Sequence, residues 1–310
     1  MKHIVLVTYG EPTTPAFVDQ LVYSWRILLG LTRTVADIPA PLIPLIALSR
    51  ARGRNAMWRR NQYTSPLEPI TLAQAAQLRN ALARQSTEQW KIHVAYEFRE
   101  PLLSSVIRRL PRKELVVVAP MYAADSAFTH ELSRQTVENL DARRPAPIIV
   151  LPAIDVEELA TISANHVMYT IASDSQKPSS SALVLAAHGT LLNPGKPIET
   201  GLVATERLRA GIERRLSTCF GMVANGWLNH TRGGKWTDPP IEETLKRVSD
   251  AGFRDVVYYP YGFLADNAES QLEGQIAAAA RPELRVRFVP CLNGSFDLAQ
   301  VIATQVLAAH

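Results

Sequence analysis

The chain has 310 residues, 47% of them apolar and 20% charged, with a formal net charge of +4. That length holds two domains of ordinary size or one large α/β unit, and the composition is globular rather than disordered. So small a positive excess argues against a nucleic-acid partner, because such binders concentrate basic residues on one face.

Two cysteines, Cys219 and Cys291, cannot supply four thiolates to an iron–sulfur cluster. No such cluster is expected, and no disulfide framework either, so both read as small core residues in a reducing compartment. Met1-Lys2-His3-Ile4 runs straight into a strand pattern without a secretory apolar region. The best apolar stretch, Ile38–Leu48, is short and holds three prolines. A cytoplasmic protein is expected, monomeric, with membrane contact at most peripheral.

In chain order, short β-rich runs alternate with longer helical stretches, the rhythm of βα units in a mostly parallel sheet. Strands are expected at His3–Tyr9, His93–Tyr96, Leu115–Ala119 and Ile148–Leu151, with helices at Thr71–Arg84, Leu102–Leu110 and Ser126–Leu140. The polar run Ser173–Ser181 reads as a linker. Beyond it, strands are expected at Ala182–Ala187, Phe220–Asn225, Asp255–Tyr259 and Arg285–Val289. The helices there are Ile198–Leu216, Pro240–Ala251, Ala268–Ala279 and Phe296–Leu307. This gives domains at 1–172 and 182–310. The single strong basic run holds Arg50, Arg52, Arg54, Arg59 and Arg60. It is either a solvated helix face or a holder of anionic groups.

The halves echo each other. Val5-Leu6-Val7-Thr8-Tyr9-Gly10 matches Val184-Leu185-Ala186-Ala187-His188-Gly189, a strand ending in a ring and then glycine. Val118-Ala119-Pro120-Met121-Tyr122 matches Tyr258-Tyr259-Pro260-Tyr261, a strand ending in proline and tyrosine. Ligands of parallel α/β sheets collect beyond the carboxyl ends of strands, so all four signatures fall on the functional edge. Ordinary strand-to-loop turns are the alternative.

Several of these residues could carry chemistry. His188, ending an apolar strand, can bind a transition metal or take a proton near neutral pH; a structural histidine is the other reading. Asp266 is placed to cap the helix that follows, with Glu269 three residues on at the acidic position of a capping box. Together with His188 the carboxylates could make an acid/base or metal-relay pair. Tyr9 could ligate iron, stack on a flat ligand, or simply fill a turn. Asp125 and His130 read as surface residues at a helix start. No phosphate loop, dinucleotide fingerprint, paired-cysteine zinc motif or serine-hydrolase elbow is present in the sequence.

The motifs in sequence are Tyr9-Gly10-Glu11-Pro12, Ser65-Pro66-Leu67-Glu68-Pro69-Ile70-Thr71, Tyr96-Glu97-Phe98-Arg99-Glu100-Pro101 and Pro120-Met121-Tyr122. They continue with Ala187-His188-Gly189, Lys235-Trp236-Thr237-Asp238-Pro239, Pro260-Tyr261-Gly262-Phe263-Leu264-Ala265-Asp266-Asn267-Ala268-Glu269 and Pro290-Cys291-Leu292-Asn293. In this order they resemble the ferrochelatase family over nearly the whole chain. The resemblance implies an α/β, chelatase-like fold. Its two Rossmann-like domains, each a parallel four-stranded sheet flanked by helices, would surround a porphyrin cleft. It implies ferrous iron and a porphyrin as substrates. His188 and Glu269 would be catalytic and metal-holding, flanking the macrocycle centre, one side delivering iron and the other accepting pyrrole protons. Tyr9 would be a third metal contact, at a position that favours coproporphyrin over protoporphyrin.

Insertion requires a bent ring, two lost protons and dehydrated Fe²⁺, so binding energy goes into distortion. Anionic propionates need hydroxyl or arginine partners, for which Ser65, Arg59 and Arg60 are the candidates. The substrate-binding set is completed by Tyr122, His130, Trp236 and Asp266. Residues 12–65, with Trp25 and Trp58, would form a lid, or else a surface helix pair.

Three departures from the family pattern stand out: Tyr63-Thr64 replaces a glycine pair, Asn267 replaces a histidine, and 226–234 fits poorly. His230 could compensate for the lost histidine. These leave two alternatives, a sirohydrochlorin or cobalt-type chelatase and a non-catalytic haem or porphyrin carrier.

Overall fold

Runs of β-branched and other apolar residues, buried on both faces, build the inner strands of two sheets covered by helices. The computed structural model describes residues 1–34, 38–141, 144–173, 177–229 and 234–309, with the side chains of 33, 34 and 141 left aside. His230 and residues 174–176 of the linker lie outside the described residues.

Chain order begins with β1 (Lys2–Thr8), α1 (Phe17–Thr34), α2 (Ile43–Arg60), α3 (Leu67–Gln85) and β2 (Trp90–Tyr96). There follow α4 (Leu103–Arg109), β3 (Val116–Pro120), α5 (His130–Asp141), β4 (Ile148–Val150) and α6 (Val156–Ile171). Then come β5 (Ala182–His188), α7 (Leu202–Leu216), β6 (Met222–Leu228), α8 (Ile241–Asp250) and β7 (Asp255–Tyr259). A π-turn over Glu269–Glu273 leads into α9 (Gly274–Ala279), and β8 (Arg285–Phe288) and α10 (Phe296–Ala308) complete the chain.

The expected strands all form, and all pair in parallel. Among the described residues the sheets run β2-β1-β3-β4 and β6-β5-β7-β8, one order used twice. The first core joins Val5, Val7, Val116 and Val118 to Leu103 and Ile107 of α4. The second joins Val184, Ala186, Val256 and Tyr258 to Ile241, Leu245 and Val248 of α8.

The compact units do not follow the two halves of the sequence. One comprises 1–153, 194–199 and 294–310; the other comprises 154–193 and 200–293. α6 packs on α7 within the second unit, and α10 packs on α3 within the first. The polar run 173–181 therefore lies inside the second unit, between α6 and β5. Polar composition suggested a boundary there, but the buried face of α6 (Leu159, Ala160, Val167, Ile171) needs its partner helix.

The region considered as a lid holds a helix pair, α1 against α2. Trp58 is fully buried there, stacked under Arg54 and edge-on to Tyr63, so it is core rather than a cover over a ligand. Trp25 remains 38% exposed. Among the described residues no helix is long and apolar enough to cross a membrane.

Candidate functional site

In both sheets the chain leaves the second-position strand (β1 or β5) in one direction and returns on its other side. In open α/β sheets ligands bind at such a reversal, so the edges to inspect lie beyond the carboxyl ends of β1 and β3 and of β5 and β7.

In the second unit His188 is the last residue of β5, with a side chain 52% exposed. The turn after β7 presses against it. A Cβ on Gly262 would lie 2.8 Å from the Ala187 Cβ and 3.4 Å from the His188 nitrogen, so only glycine lets the two strand ends meet. That turn delivers Glu269, whose Oε1 is hydrogen-bonded to His188 Nδ1. A carboxylate on Nδ1 places the ring proton there and the lone pair on Nε2, the form that accepts a proton or ligates a metal.

This direct contact corrects one expectation. His188 and Glu269 do not flank a macrocycle from opposite sides, because no ring fits between hydrogen-bonded groups. They form one hydrogen-bonded pair.

The supports of Glu269 also differ from expectation. Asn267, not Asp266, caps the turn: its Oδ1 accepts the Glu269 and Ser270 N–H groups at 2.9 and 3.0 Å. Asparagine is among the best residues for that task. Asp266 is 3% exposed and faces inward. It accepts the Cys291 N–H at 2.9 Å and Asn293 Nδ2 at 2.7 Å, tying the Glu269 turn to the loop after β8. It is a brace, not a substrate contact. Trp236 is part-buried and bridges Leu191, just beyond His188. Thr237 Oγ1 accepts the Thr190 N–H at 3.1 Å and holds the same loops together.

The first unit offers a different edge. Gly10 has φ +73°, and a Cβ there would collide with Tyr96 at 2.4 Å, which forces the sharp turn after Tyr9. Tyr9 packs among Phe98, Tyr122 and Phe128 at centroid distances of 5.8, 4.7 and 6.0 Å. Its hydroxyl donates to the Phe128 carbonyl at 2.9 Å. Tyr122 is buried beneath, and burial pushes its phenol well above the usual range.

His130 is fully buried, not a surface residue. Burial lowers it to about 4; Asp125 and the Ala124 carbonyl pull it up less than burial pushes it down. Asp125 instead holds Arg134 through two 2.9 Å bonds.

Ser65 is buried as well. Its hydroxyl donates to Glu11 Oε1 at 2.5 Å and accepts the Leu67 N–H at 3.1 Å, starting α3. As a propionate partner it is already engaged. Arg59 and Arg60 are exposed in the last turn of α2, where they complement the helix dipole. Arg54 of the same run points inward, to Gln20 Oε1 at 2.9 Å and Glu11 Oε2 at 3.5 Å. Neither Glu11 nor Gln20 stands out in the sequence, since single buried polar residues leave no periodic signal, and Arg54, read with the basic run as a solvated face or a holder of anionic groups, faces a carboxylate inside the protein.

Glu97, in the Tyr96–Pro101 motif, is a further perturbed carboxylate. Burial raises it to about 7, partly opposed by the hydroxyl of Ser133, which donates to Oε1 at 2.7 Å.

Two four-stranded parallel sheets with helices on their faces are the fold of the chelatases. The solved structure of CbiX, the terminal enzyme for biosynthesis of siroheme in denitrifying bacteria, matches with a TM-score of 0.54 at 15% identity, covering 100% of both chains. The sirohydrochlorin chelatase SirB from Bacillus subtilis subspecies spizizenii, in complex with cobalt, matches with a TM-score of 0.53 at 15% identity. That match covers 100% of this chain and 95% of SirB. The family model Ferrochelatase matches residues 2–310, so the chain belongs to the ferrochelatase family, enzymes of the lyase class. A Ferrochelatase of Brucella canis is 28% identical, over 93% of this chain and 82% of the relative. A Coproporphyrin III ferrochelatase of Limosilactobacillus reuteri is 24% identical, over 98% of this chain and 97% of the relative.

Proposed function

We propose that the enzyme inserts ferrous iron into a porphyrin for haem biosynthesis, with coproporphyrin III preferred over protoporphyrin IX. The observation that carries this reading is the His188–Glu269 pair at the carboxyl end of β5. Iron is a substrate. Each pyrrole N–H bond that breaks leaves its electron pair on nitrogen for the metal, and the porphyrin loses two protons without any redox change. His188, polarised by Glu269, takes a proton through Nε2. The Tyr9 ring cluster supplies a flat aromatic surface for a flat substrate. The exposed guanidinium groups of Arg59 and Arg60 serve carboxylate side arms better than the engaged Ser65.

The coproporphyrin preference is supported by Tyr9 at the end of β1 and by the similarity to the Limosilactobacillus reuteri relative. The chain is read as a cytoplasmic monomer.

Anaerobic Fe²⁺ insertion into coproporphyrin III and protoporphyrin IX, measured side by side, tests both levels. Faster turnover of coproporphyrin III is expected. Equal or reversed rates would remove the preference. Metallation of neither ring, with insertion into sirohydrochlorin instead, would overturn the function.

A further inference from the structure

Resting on the iron-insertion reading, we propose that Asn229 is a positioning residue: its side-chain amide, set between Gly189 and Thr237, fixes the strand end from which His188 reaches Glu269.

His188 stands where the ladder stops. It is the last residue of β5 and pairs with Leu228, the last residue of β6. The Gly189 N–H still donates to the Leu228 carbonyl at 2.9 Å, but the strand pairing goes no further. Unsupported strand ends fray. The half-exposed imidazole carries a hydrogen bond to Glu269, and a working pair of this kind tolerates a displacement of only about 0.5 Å. Both flanks of the strand end must therefore be held.

On one flank Gly262 admits the turn after β7. On the other stands Asn229, the residue after Leu228. A Cβ on Gly189 would lie 1.7 Å from Asn229 Oδ1, so the amide fills the space that any other residue at 189 would need. Asn229 Nδ2 donates to the Thr237 carbonyl at 3.0 Å. Thr237 is joined twice to Thr190: its N–H donates to the Thr190 carbonyl at 3.0 Å, and its Oγ1 accepts the Thr190 N–H at 3.1 Å. The Leu192 N–H adds a bond to the Lys235 carbonyl at 2.8 Å. Asn229 thus closes a clasp around the two residues that follow His188, touching Gly189 by contact and Thr237 by hydrogen bond.

The arrangement has a cost. Asn229 Oδ1 is buried with no hydrogen-bond partner among the described residues. A smaller side chain would avoid that orphan, and such violations gather at functional sites. Oδ1 is shut off from solvent and Nδ2 is spent on Thr237, so the amide acts through the backbone beside His188 rather than on substrate.

The test reads His188 itself. In the neutral ring the Glu269 carboxylate holds the proton on Nδ1, whereas an imidazole free in water prefers Nε2. Proton–nitrogen correlations through the carbon-bound ring protons distinguish the two tautomers. They are recorded for wild type, Asn229→Asp, Asn229→Ala, Gly189→Ala and the pair Gly189→Ala with Asn229→Ala, beside anaerobic Fe²⁺ insertion kinetics. Asn229→Asp keeps the shape but sets an oxygen against the Thr237 carbonyl. Wild type should hold the proton on Nδ1. In both Asn229 variants the Nε2–H form should grow and kcat should fall about tenfold, with KM for porphyrin unchanged. Gly189→Ala drives a Cβ into the same oxygen and should do likewise, while the double variant should be no worse than Asn229→Ala.

A wild-type tautomer or a wild-type kcat in the folded Asn229 variants overturns the proposal. So does a double variant in which the two losses simply add. If neither Asn229 variant folds, a wild-type tautomer in Gly189→Ala overturns it. The tautomer is read without porphyrin or iron, so an inactive wild type sinks the function itself and leaves the tautomer to decide this inference.

Discussion

The two sheets share one strand order, yet their carboxyl edges are built from opposite materials. The second unit ends β5 in an exposed imidazole joined to a carboxylate, braced by Asp266 and capped by Asn267. The first ends β1 in a tyrosine among aromatic rings, over buried Tyr122 and His130. A duplicated scaffold thus carries an imidazole–carboxylate pair on one edge and a cluster of aromatic rings on the other. The difference lies in a few side chains after each strand, not in the sheets.

The largest expected effect is on the polar edge. Glu269→Gln removes the charge that polarises His188 and should slow insertion about a hundredfold, with porphyrin binding retained. An unchanged rate would show that the pair is not the working group. Next comes the brace. Asp266→Ala leaves the Cys291 N–H and Asn293 Nδ2 without their acceptor, and should cost about 1–3 kcal/mol in a denaturant melt. Catalysis should fall with it, because the same turn carries Glu269.

The smallest effect belongs to the aromatic edge and appears only with pH. His130 titrates near 4 when folded and at 6.5 when exposed, so the unfolded chain takes the proton first. Its contribution to stability is complete above 6.5 and is lost as pH falls toward 4. His130→Leu should flatten the melting temperature across that window, while a slope like that of wild type would mean that another group sets it.

The sequence made the strands legible because buried parallel strands are nearly continuous apolar runs, as in Val116–Ala119 and Ala182–Ala187. Their ends were legible too, since Tyr9 and His188 stand just before a glycine and Tyr122 just after a proline. What stayed hidden depends on tertiary partners. The capping role passed from Asp266 to Asn267 because a loop distant in sequence claims the aspartate. His130 reads as exposed at a polar helix start but is fully buried. Ser65 and Arg54 turn inward to Glu11, a contact between segments more than forty residues apart. The compact units likewise group α6 with α7 and α10 with α3, pairings between helices distant in sequence.

If the proposed function holds, metal insertion depends on the imidazole that ends β5. The decisive measurement is His188→Ala, assayed anaerobically with Fe²⁺ beside a porphyrin-binding titration and a thermal melt. The side chain is half exposed, so the melt and the binding should match wild type while insertion drops by about a hundredfold or more. Insertion at the full wild-type rate in that variant would contradict the account.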